Sequence, residues 1–116
     1  MERKDFSVFS HLLSDVHAKA FGESLSRLPH GKAQTLSWLI YEATGELLSY
    51  KSLHNYVLAV LENAPQKVNP TSMTLSILAQ FVSGAKNAAA GCLPWFSYRS
   101  RVFQQLSGSR QVASGQ

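Results

Sequence analysis

The chain has 116 residues, 45% of them hydrophobic, which is enough for one compact domain with a single core and too few for two. Its one cysteine, Cys92, excludes an internal disulfide, and no apolar run approaches the roughly 20 residues that span a bilayer. The net charge of +4 is unevenly placed: six Lys/Arg stand against seven Asp/Glu through Glu62, and no acidic residue follows it.

The start, MERKDFSVFSHLLSD, lacks the apolar stretch and the small-residue cleavage site of a signal peptide. With the lone cysteine, this predicts a cytoplasmic protein that makes no membrane contact. Beyond Glu62 only Lys67, Lys86, Arg99, Arg101 and Arg110 carry charge. An acid-free half suits a polyanionic partner, nucleic acid first, although five cations over that length also serve solubility alone.

Apolar residues recur at helical spacing and nowhere alternate as in strands. Phe6, Phe9, Leu13, Val16 and Ala20 make the stripe of a first helix that Gly22 ends. GESLSRLPHG is a connector, because Pro29 and Gly31 oppose a continuous helix there. A second helix is predicted from about Lys32 to Thr44, with Ala33, Leu36, Ile40 and Ala43 inward and Gly45 closing it in the left-handed conformation. Ser49 caps a third, whose stripe is Leu53, Tyr56, Val57, Val60 and Leu61. After the polar break NAPQKVNPTSM, Asn69 and Pro70 signal the start of a fourth helix through Leu75, Leu78, Ala79 and Val82 to Gly84. AKNAAAG is a low-complexity joint. Pro94 then opens a last amphipathic segment through Trp95, Tyr98, Val102 and Leu106. The expected fold is all-α: a compact bundle of five or six short helices over residues 1–106, with a flexible polar tail at 107–116.

The second helix, the turn GELLS and the third helix have the order of a helix-turn-helix. Leu47 or Leu48 would plug the angle, Leu53 would pack beneath it, and Tyr50, Lys51, His54 and Asn55 would share the free face, with Leu58 at its edge. Those four can seek phosphates or base edges, Asn55 by bridging adenine's donor and acceptor. The same order also describes a plain structural corner between two helices.

LSYKSLHNYVLAVL followed by NPTSMTLSILAQFV resembles a two-part pattern of helix-turn-helix-like domains in bacterial, particularly Bacteroidetes, proteins. The matching residues are Ser49, Ser52, Leu53, Pro70, Thr74, Leu75, Leu78, Ala79 and Phe81, within roughly residues 32–84. Most occupy core and capping positions, so the resemblance implies the fold more than the activity; Asn55 stands where the pattern usually has a basic residue.

CLPWFSYRSRVF interleaves aromatics with arginines. It can lid the core, anchor a protein partner through Trp95, Phe96 and Phe103, or stack on bases while Arg99 and Arg101 hold phosphates. His11, His17, His30 and His54 have no metal-ligand spacing, Cys92 has no base arranged beside it, no GxSxG elbow occurs, and HGK lacks the glycines of a phosphate loop. No enzyme, metal or cofactor is therefore expected. The expected function is a regulatory module that binds nucleic acid, in particular double-stranded DNA. Tyr50, Lys51, His54 and Asn55 would meet the groove and Lys67, Lys86, Arg99 and Arg101 the phosphates. The alternative is a helical adaptor or homo-oligomerising unit that uses the C-terminal rings.

Overall fold

The structure, a computed structural model, describes residues 1–84 and 93–114, with side chains of the latter stretch over 94–105. The helices are α1 (Arg3–Phe21), α2 (His30–Thr44), α3 (Tyr50–Leu61), α4 (Ser72–Ser83) and α5 (Leu93–Ser114), with a 3₁₀ turn at Pro65–Lys67. The chain is all-α, with no strand among the described residues. None of these helices is long and apolar enough to cross a membrane. The joint at 85–91, and with it Lys86 and Cys92, lies outside the described residues. The bounds of α5 run to Ser114, into the stretch expected as a polar tail.

The centre of the bundle is α4. It packs against α1, α2 and α5, and every residue from Leu75 to Phe81 is buried. A helix enclosed on all sides is apolar all round. The exceptions are Ser76 and Gln80. The Ser76 hydroxyl accepts a hydrogen bond from the Trp95 backbone N–H at 3.2 Å, which satisfies one of the orphan donors at the start of α5. Gln80 Oε1 is a buried acceptor with no partner among the described residues. At the far end of α4 the Lys19 ammonium donates to the Phe81 carbonyl at 2.6 Å, placing a cation at the negative pole of the helix.

Phe6, Phe9, Leu12, Leu13 and Val16 of α1 complete the core with Leu36 and Ile40 of α2 and Leu53 and Val57 of α3. Tyr98 ties α5 to α1: its hydroxyl donates to Asp15 Oδ2 at 2.6 Å. That leaves the phenolic oxygen to accept from His11 Nδ1–H at 2.9 Å.

Two helix starts also differ from the sequence expectation. The second helix starts at His30, with Pro29 as its extended N-cap residue, because proline directly before a helix is compatible with the helical turn that follows. The fourth is capped by Thr71, whose hydroxyl accepts from the Thr74 N–H at 3.2 Å, and not by Asn69. Pro70 favours extended backbone before it, which moves the helix start beyond the Asn-Pro pair.

Gly45 takes φ +79° at the end of α2, and its N–H donates to the Tyr41 carbonyl at 2.8 Å. An added Cβ would meet nothing within 4 Å, so only the backbone conformation disfavours a side chain there. Gly45→Ala will therefore lower stability by about 1 kcal/mol, seen as a fall of about 4–5 °C in the thermal midpoint by circular dichroism. Gly45→Asn will lose less, since asparagine tolerates left-handed backbone. An unchanged midpoint for the alanine variant contradicts this account.

Candidate nucleic-acid interface

The segment from Gly45 to Ser49 that joins α2 to α3 is held by side chains. Ser37, buried on α2, donates to the Leu48 carbonyl, and Thr44 donates to the Ile40 carbonyl at 2.7 Å while accepting from the Glu46 N–H at 3.2 Å. Leu48 is buried and plugs the corner, whereas Leu47 is 71% exposed. Ser49 Oγ accepts from the Lys51 N–H at 3.2 Å and starts α3. Leu53, Val57 and Ala59 turn inward, which leaves Lys51 and Asn55 exposed and Tyr50 and His54 half-buried.

Tyr50, Lys51, His54 and Asn55 line one open cleft of about 450 Å³, together with His30 and Ala33 from the first turn of α2. The His30 and Tyr50 rings meet edge to face at 4.8 Å between centroids. His54 Nδ1 lies 2.9 Å from the Leu28 carbonyl. No carboxylate lines the cleft. Helical spacing groups the four α3 residues, whereas His30 belongs to another element, 20 or more residues away in the chain, so no local spacing ties it to them. Further along α3, Asn55, Leu58, Ala59 and Glu62 border a second recess of about 310 Å³ with Lys67.

The cations assigned to phosphates are more committed. Lys67 pairs with Glu62 at 2.9 Å. Arg99 donates from Nε to Asp5 Oδ1 at 2.7 Å and lies over the Phe103 ring at 4.7 Å. Arg101 is exposed, with its guanidinium 5.6 Å from the Tyr98 ring centre. Outside that set, Lys32 pairs with Glu23 and holds that carboxyl below its usual range, by its hydrogen bond first and its charge second. The Lys51 ammonium has no hydrogen bond or ion pair among the described residues, its backbone N–H alone being bonded, to Ser49. The uneven charge of the sequence is thus partly cancelled in space, because acids of the first half fold against bases of the second.

The three C-terminal rings separate as well. Trp95 is 4% exposed and belongs to the core, Phe103 is half-buried under Arg99, and Phe96 is 53% exposed. A different aromatic pair lies on the surface. Trp38 and Tyr41 on α2 are 57% and 45% exposed, with ring centroids 6.0 Å apart. Both fall outside the Ala33–Leu36–Ile40 stripe, a signal that was present in the sequence. Among the described residues no group of three or more His, Cys, Asp or Glu is placed to hold a metal ion. No family model, curated protein or solved structure matches this chain.

Proposed function

We propose that the chain is a regulatory module that binds duplex DNA without catalysing a reaction, with α2 and α3 as a helix-turn-helix-like pair and α3 as the helix that enters the groove. One observation carries the reading: Tyr50, Lys51, His54 and Asn55 lie together on an open cleft that contains no acid. Such a face offers an ammonium to phosphate and an amide, a hydroxyl and an imidazole to base edges, the division of labour that duplex readers use. Arg101 is the cation of the C-terminal segment most available to add a phosphate contact, since Arg99 is held by Asp5.

The test is a titration of the purified chain against a mixed-sequence duplex at two salt concentrations. Binding will weaken steeply with salt, and Lys51→Ala will reduce the slope of log K against log salt by about one. No binding at low salt rejects the reading.

A second reading, a protein-interaction module, is favoured by the exposed Trp38–Tyr41 pair, because tryptophan and tyrosine dominate interface hot spots. It predicts that Trp38→Ala abolishes a complex or self-association that Lys51→Ala leaves intact, as read by light scattering.

A further inference from the structure

Most side chains on the α3 cleft can donate a hydrogen bond: Lys51 does nothing else, and Tyr50 and Asn55 both donate and accept. His54 is different. Its Nδ1 lies 2.9 Å from the carbonyl oxygen of Leu28, and a carbonyl only accepts. Nδ1 must therefore carry the proton, and in the neutral ring Nε2 is left with a lone pair. Leu28 is 1% exposed, so its buried side chain anchors the carbonyl that fixes this tautomer. Nε2 has no partner among the described residues and is not one of the buried orphan atoms. The cleft thus holds a fixed acceptor one residue from the Asn55 amide.

We propose that His54 sets base preference as a hydrogen-bond acceptor, selecting adenine or cytosine over guanine or thymine at the position it faces. The inference rests on the reading of α3 as the groove-binding helix. In the major groove adenine and cytosine present amino donors at N6 and N4, whereas guanine presents N7 and O6 and thymine O4, all acceptors. An acceptor set against an acceptor loses its water without replacement, which is the source of discrimination.

The experiment is selection from a randomised duplex pool by the full chain, alongside its His54→Asn variant. Asparagine retains a donor near the place of Nδ1–H and lacks Nε2, so the bond to Leu28 is kept in kind. The wild-type chain will enrich adenine or cytosine at one position. Replacing that base by its analogue without the amino group will weaken binding roughly five- to a hundredfold. His54→Asn will still retain DNA in a salt-dependent way, without the bias. Nitrogen-15 NMR of the wild-type chain supplies a check that needs no variant: the His54 proton must sit on Nδ1. A proton on Nε2, a pool retained without base bias, or a bias that survives in His54→Asn overturns the inference while leaving DNA binding in place. Failure to retain any duplex at low salt overturns the reading of α3 and this inference with it, even if the tautomer is as stated.

Discussion

Trp95→Ala will lower the free energy of unfolding by about 3–5 kcal/mol, a large part of the roughly 5–15 kcal/mol that holds a domain folded. The ring is 4% exposed where α5 meets α4, and the backbone N–H of the same residue is bonded to Ser76 Oγ. Truncation removes buried apolar area and leaves a cavity that the enclosed α4 cannot relax to fill. Phe96→Ala, one residue along and 53% exposed, will change stability by no more than about 0.5 kcal/mol. Urea unfolding of both variants followed by fluorescence or circular dichroism makes the comparison. Equal effects at the two positions would mean that α5 does not dock through Trp95. The contrast also bears on partner binding: loss of a complex in Trp95→Ala would report unfolding, whereas loss in Phe96→Ala or Trp38→Ala would report a contact.

Stability will fall as the pH rises above about 10, by about 1.4 kcal/mol per pH unit for each proton the folded state alone retains. Tyr98 is the main source. Burial pushes its phenol up, and Asp15 adds to this by accepting its proton in a hydrogen bond and by its negative charge. In the unfolded chain the phenol ionises near its ordinary value of 10.0; in the folded chain it stays protonated beyond that. The unfolded state then binds fewer protons, so the contribution of Tyr98 is complete below pH 10 and is lost as the pH climbs. Tyr56, raised by burial, acts in the same direction, so the isolating variant is Tyr98→Phe. Urea midpoints at pH 8, 10 and 11 will show a shallower decline in that variant, and a decline as steep as in the unaltered chain would contradict the role given to Tyr98.

Much of the architecture is legible along the chain because it depends on neighbours in sequence. The apolar stripes of α1, α2 and α4, the left-handed closure at Gly45 and the cap at Ser49 all follow from spacings of a few residues; the stripe of α3 holds at Leu53 and Val57, whereas Leu61 is 46% exposed and Ala59 is buried instead. The grouping of Tyr50, Lys51, His54 and Asn55 belongs to the same class, since one helix face brings them together. Local rules also misplace two helix starts, both beside a proline: Pro29 directly precedes α2, and at α4 Asn69 and Thr71 compete as caps on either side of Pro70. Periodicity could not choose between Leu47 and Leu48, because neither lies within a helix and only the Ser37 bond to the Leu48 carbonyl selects the inward one.

Local rules set an all-helical chain, the glycine closures of α1, α2 and α4, and which side chains share the outer face of α3, because hydrogen bonding within a helix and side-chain period act over one or two turns; the run of α5 to Ser114 lies outside their reach. Tertiary structure alone decided which cations remain unpaired, which ring of Trp95 and Phe96 is buried, and which nitrogen of His54 holds its proton. Asp5 reaches Arg99 across 94 positions and Leu28 reaches His54 across 26, so these outcomes depend on long-range packing that brings distant acceptors and charges within bonding distance.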